Sequence, residues 1–115
     1  MSAPGRSPGV SETPGRFDGP PSLETVLEVL RAYQPRAREV GVELVGVVGS
    51  VARGEAGPQS DIDLVYDVLR EGFLWNLLGI VADLEDELGR RIDLVDRGAM
   101  PRDSWEWMAR DLVRL

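Results

Sequence analysis

The side chains best suited to chemistry in this sequence are oxygen donors at a particular spacing. Gly49 and Ser50 are followed, after ten residues, by Asp61 and Asp63, and a third aspartate, Asp93, lies further along the chain. Each part has a physical use. A glycine directly after an apolar run lets the backbone turn sharply and approach a ligand with no Cβ in the way. Ser50 adds a hydroxyl and an amide at the start of what reads as a short helix, where amides and dipole favour a phosphate. Aspartates at i and i+2 of a strand project from one face with their Cα atoms about 6.6 Å apart. Carboxylates that close can share Mg²⁺, and in two-metal phosphoryl chemistry the ions lie about 3.5–4 Å apart and clamp the attacking and leaving oxygens. By the alternation of its own strand, Asp93 points to the same side and completes a carboxylate triad.

What the sequence lacks narrows the chemistry further. Its 115 residues suit one domain, and they include no cysteine, no histidine and no lysine, so all 13 cations are arginine. Disulfides, zinc–thiolate sites, Ser-His-Asp triads and HExxH metalloproteases are therefore excluded, as is a Walker A loop, which needs a lysine. Carboxylates, hydroxyls and backbone carbonyls suit Mg²⁺ or Mn²⁺ rather than zinc or copper. The formal charge of −7 argues against direct binding to nucleic acid, which calls for a basic face. It leaves room for a nucleotide that arrives with a divalent cation. No apolar run is long enough to cross a membrane and no signal peptide is visible, so a cytoplasmic location is expected.

The elements that must position these residues read as follows. Residues 1–21 hold five of the eight prolines and four of the thirteen glycines, with no net charge, and are expected to form a disordered leader. Residues 22–115 are expected to form the single domain. Ser22 is a plausible N-cap for a helix carrying Leu23, Val26, Leu27, Leu30 and Tyr33 inward; Pro35 should end or kink it. VELVGVV at 42–48 is a buried strand. Residues 61–66 alternate, with Asp61, Asp63 and Val65 on one face and Ile62, Leu64 and Tyr66 on the other. A helix over 73–88 has Leu74, Leu77, Leu78, Val81, Leu84 and Leu88 as its stripe, and Gly89 stops it. Residues 91–95 form another strand, and a last helix runs from Pro101 to about Leu112 with Trp105, Met108 and Leu112 inward. The order predicts a small α/β (α+β) domain, a mixed sheet of three to four strands flanked by helices.

At the Gly-Ser and Asp-x-Asp positions the sequence resembles the DNA polymerase β-like nucleotidyltransferases. The longer string GSVARGEAGPQSDIDLVYD is similar to the minimal nucleotidyltransferase subgroup, and LEDELGRRIDLVDRGAMP resembles that subgroup's following helix, strand and turn. The resemblance spans roughly residues 23–115. It departs at Val48, where the subgroup often has an aromatic, and at Val51, where it often has an arginine; this leaves Arg53 as the nearer cation. The resemblance implies a nucleotidyltransferase fold, with Gly49, Ser50 and Arg53 binding the triphosphate of ATP. It implies that Asp61 and Asp63 bind two Mg²⁺ ions, and that Asp93 helps to ligate one metal and deprotonates the attacking hydroxyl. Small members are typically antitoxins that transfer AMP to a tyrosine of a HEPN-domain toxin, and such a toxin is the expected partner. Two other readings stay open, a free-standing enzyme acting on a small molecule of the aminoglycoside type and a non-catalytic module that blocks a toxin by contact.

Several of these residues also have a plain structural use. Arg53 could simply pair with Glu55 on the surface. Trp105 and Trp107 cannot both face the interior of one helix, so one should pack inside and the other is a candidate partner contact. The run Asp83, Glu85, Asp86, Glu87 reads as the wet side of its helix.

Overall fold

The computed structural model describes residues 22–57 and 60–115. The expected leader, residues 1–21, lies outside them. The first helix, α1 (Leu23–Val40), begins at Ser22, whose hydroxyl accepts the Thr25 N–H at 3.1 Å. It does not end at Pro35. Pro35 and Arg31 both lie on the exposed side, where a carbonyl that proline cannot bond costs least, and the helix continues to Gly41.

Strand β1 (Val42–Val48) leads into the four-residue helix α2 (Gly49–Ala52), and β2 (Ile62–Val68) follows. Helix α3 (Leu74–Leu88) then crosses to β3 (Ile92–Asp96), and a turn of 3-10 helix (Arg97–Ala99) precedes α4 (Arg102–Met108). The four-stranded sheet is mixed, in the order β3–β2–β1–β4, where β4 is Val113–Arg114. Strands β1 and β2 are antiparallel, whereas β2 and β3 are parallel, as a helical crossover requires.

One sheet face packs on α1 and α3, through Val42, Leu44, Val47, Ile62, Leu64 and Tyr66 against Val26, Leu30, Leu77 and Leu84. The other is a smaller layer in which Val45, Val48 and Val65 meet Val95, Trp105, Met108 and Leu112. A register shift between Leu44 and Gly46 changes the phase of β1, so Val42 and Leu44 before it share a face with Val47 after it. Because β4 is short, Leu44 has no strand partner on that side among the described residues. The Gln34 side chain takes its place, accepting the Leu44 N–H and donating to the Leu44 carbonyl, each at 2.8 Å.

Two expected features of the helices differ in the structure. The last helix stops at Met108, and a 3-10 turn (Ala109–Asp111) breaks away so that Val113 and Arg114 can pair with Val47 and Gly46. Trp105, Met108 and Leu112 do face inward, and Trp107 is exposed. In α3, Leu74 and Leu78 lie 49% and 41% exposed while Ile80 is buried, so the inward stripe is rotated and narrower than the run of leucines. The acidic run of α3 is on the wet side of its helix as expected, with none of its four residues buried, and three of the four also have partners. Asp83 pairs with Arg36 at 2.8 Å, Glu87 accepts the Tyr33 hydroxyl at 3.0 Å, and Glu85 accepts the Ile92 N–H at 2.8 Å.

Strand β4 depends on one missing side chain. A Cβ on Gly46 would stand 2.2 Å from the Val113 carbonyl oxygen and 2.9 Å from the Arg114 Cα, both backbone atoms. Gly46→Ala should therefore push β4 off the sheet and destabilise the protein by about 1–3 kcal/mol, the range of overpacked sites. Urea denaturation checks this; an unchanged midpoint would mean that β4 is not seated on Gly46.

Candidate active site

The site is built at one end of the sheet, where β1 ends and β2 and β3 begin. Asp63 and Asp93 are direct neighbours in the parallel β2–β3 register, and Val48, the last residue of β1, lies across from Asp63 on the other side. In-register residues of adjacent strands share a face. Val65 and Val95, each two residues on, belong to the smaller apolar layer, so both carboxylates stand on that face rather than among α1 and α3. Asp61 comes just before β2. The backbone of that end is held by the Ile62 N–H donating to the Arg91 carbonyl at 2.9 Å, and by Glu85 of α3 bonding the next residue of β3.

Gly49 is shaped around Asp63. Its φ of +81° is a left-handed value that side chains disfavour, and a Cβ there would stand 2.2 Å from the Asp63 Oδ2. The carboxylate thus occupies the space that the missing side chain leaves. Ser50, half-buried, follows in the first turn of α2.

Electrostatics single out Asp63. Its pKa is raised above the ordinary carboxylate value, first by burial and then by the negative charges of Asp93 and Asp61, with Arg53 acting in the opposite direction. Asp93 is half-exposed and lies 3.7 Å from the Arg91 guanidinium. Arg53 pairs with Glu55 at 2.8 Å, and it also reaches Asp111 at 2.8 Å. The first contact is the one its sequence position suggests; the second joins segments 58 residues apart and no sequence pattern announces it.

The same donors bear on a metal. Among the described residues no three carboxylates are drawn together as a ready-made cage. What is present is an excess of hard, negatively charged oxygens around a partly desolvated Asp63, an arrangement relieved by a divalent cation. Mg²⁺ usually takes one or two carboxylates and completes its shell with water and substrate phosphates, so the donor set fits an ion that arrives with a nucleotide.

Residues 23–113 match the nucleotidyltransferase domain family model. The chain belongs to that family. It is 33% identical over 93 residues to "Protein adenylyltransferase MntA" of Thermococcus cleftensis, covering 80% of this chain and 94% of that one. A chain of Methanocaldococcus jannaschii provisionally named protein adenylyltransferase is 30% identical over 80 residues, 69% of this chain and 82% of the relative. A solved minimal nucleotidyltransferase structure superposes with a TM-score of 0.68 at 34% identity, over 82% of this chain and 96% of the other. The α/β fold with its mixed four-stranded sheet is thus that of a minimal nucleotidyltransferase, an enzyme of nucleotide transfer. The described residues contain no helix long and apolar enough to cross a membrane.

Proposed function

We propose that this nucleotidyltransferase moves AMP from ATP to a tyrosine hydroxyl of a HEPN-domain toxin and so acts as its antitoxin. The observation that carries the reading is the Asp63–Asp93 pairing across β2 and β3, with Gly49 folded around the Asp63 carboxylate. The name of the Thermococcus cleftensis relative, a protein adenylyltransferase covered over 94% of its length, supports a protein as acceptor.

In this reading Gly49, Ser50 and Arg53 receive the triphosphate, the glycine by permitting close approach and Arg53 as a charge-assisted donor. Asp61, Asp63 and Asp93 are the residues that would hold Mg²⁺, two ions in the full complement. Held there, Mg²⁺ would supply neutralisation of the charge that develops on the phosphates. Asp93, half-exposed beside the pair, accepts the proton of the incoming hydroxyl. The hydroxyl oxygen bonds to the α-phosphorus, the α–β phosphoanhydride bond breaks, and pyrophosphate leaves with the bonding electrons.

Carboxylates crowded at Asp63 against their own charge are hard to reconcile with a module that only blocks by contact, since contact needs no such strain. The experiment is to purify the chain together with a HEPN-domain protein co-expressed as its candidate partner and add Mg²⁺ and ATP labelled at the α-phosphate. Label should appear on a tyrosine of the partner, located by mass spectrometry. Label found only on an added aminoglycoside, or on nothing, would overturn the assignment.

A further inference from the structure

The double pairing of Arg53 fixes more than a charge. Its Nε donates to Glu55 and its Nη1 donates to Asp111, each at 2.8 Å, while Nη2 bonds to no described residue. A guanidinium is planar with five donors in a fixed fork, so two acceptors on different nitrogens set both the plane and its rotation. One acceptor alone leaves the fork free to turn.

The two halves of this clamp share a support. Arg53 follows α2, which continues directly from β1. Asp111 ends the 3-10 turn just before β4, and β4 pairs with Gly46 and Val47 of the same β1; beyond it the Leu115 N–H donates to the Val45 carbonyl at 3.1 Å. Both partners are therefore referred to the strand that leads into Gly49 and Ser50. Asp111 makes no other side-chain bond among the described residues and is partly exposed, so an isolated pair of this kind adds little to stability. Its placement is better explained by what it does to Arg53.

We infer that Asp111 is a positioning residue for nucleotide binding, holding Arg53 so that the Nη2 amine is presented to the triphosphate. The inference rests on the proposed role of Gly49, Ser50 and Arg53 as the nucleotide site. Its sign is opposite to the simplest electrostatic expectation. Asp111 is negative and so is the nucleotide, and on charge alone its removal should tighten binding. Loss of positioning should loosen it.

The test is calorimetric titration of the whole chain with Mg²⁺ and α,β-methylene-ATP, which binds without being turned over. Asp111→Ala should weaken binding about three- to tenfold, the effect of a misaligned rather than a deleted charge-assisted bond. Asp111→Asn keeps an acceptor oxygen and should recover part of the loss. In an Arg53→Ala background, Asp111→Ala should have no further weakening effect, because it acts only through Arg53. The melting temperature without nucleotide should stay within about 2 °C of wild type. Equal or tighter binding by Asp111→Ala, or further weakening without Arg53, would overturn the positioning role while leaving the nucleotide site in place. A wild-type chain that does not bind the analogue at all would overturn the site reading and the inference with it.

Discussion

Asp63→Asn should lower the rate of AMP transfer by about three orders of magnitude or more while the protein still folds. In phosphoryl transfer the protein mainly positions groups and stabilises charge, so losing a carboxylate proposed to hold Mg²⁺ should remove much of what it contributes. Asparagine keeps the shape and loses the charge. The substitution alters a half-buried group at the end of the sheet and leaves the outer surface as it was, so binding to a HEPN partner should persist. Protection of cells from that partner should be lost with the transfer. Transfer is read with ATP labelled at the α-phosphate, and protection by growth at matched expression. Protection by Asp63→Asn equal to wild type would mean that contact alone neutralises the toxin, and the enzymatic mechanism would fall.

The same variant has a stability signature with a definite sign. The Asp63 pKa is raised by burial, then by Asp93 and Asp61, so the folded state holds its proton to higher pH than the unfolded chain. Between the two pKa values the folded state binds more protons, and stability falls as pH rises through that window. At neutral pH the ionised Asp63 therefore opposes folding, modestly, because the group is only partly buried. In EDTA at pH 7, Asp63→Asn should melt above wild type, and the gap should narrow as the buffer approaches the unfolded carboxylate range. Adding Mg²⁺ and nucleotide should reverse the order, since ligand stabilises the form that binds it. A variant that melts below wild type in EDTA would show that the carboxylate contributes to the fold rather than straining it.

How far the sequence discloses these features depends on how local their causes are. The alternation of Asp61-Ile62-Asp63-Leu64 gives β2 and its two faces, and the same alternation in Ile92-Asp93-Leu94 gives β3 and the side that Asp93 shares with Asp63. Each needs only the period of its own strand. The phase change at Val45–Gly46 is not legible, because seven consecutive buried or half-buried positions of β1 hide which face each residue takes. Nor is β4, which consists of Val113 and Arg114 and exists only because Gly46 leaves room for it. Leu74 and Leu78 carry the helical period of α3 without being buried, because the period alone does not say how much of an apolar stripe its neighbours cover. At the site, the Arg53–Glu55 pair could be read from adjacency, whereas Asp111 arrives through tertiary packing alone.

Gly49→Ala should slow transfer strongly, though less than loss of a carboxylate, and it should also destabilise the fold. Two effects add. At φ +81° an added methyl meets its own backbone, a cost of about 1 kcal/mol. The same Cβ would stand 2.2 Å from the Asp63 Oδ2 and 3.3 Å from its Cγ, so a group must yield. The carboxylate yields more readily than β1, and it would leave its place beside Asp93. Transfer should fall by about a hundredfold or more, as expected when a group of the site is misplaced by about an ångström, and the melting temperature should drop by about 5–15 °C. Coupling to Asp63 separates the two effects. Asp63→Ala removes the atoms that the new Cβ meets at 2.2 and 3.3 Å, leaving the Asp63 Cβ at an ordinary 3.8 Å. In that background Gly49→Ala should cost only its backbone strain, a coupling of about 1 kcal/mol or more by urea denaturation. Strict additivity of the two substitutions would mean that Gly49 serves the turn alone and does not make room for the carboxylate.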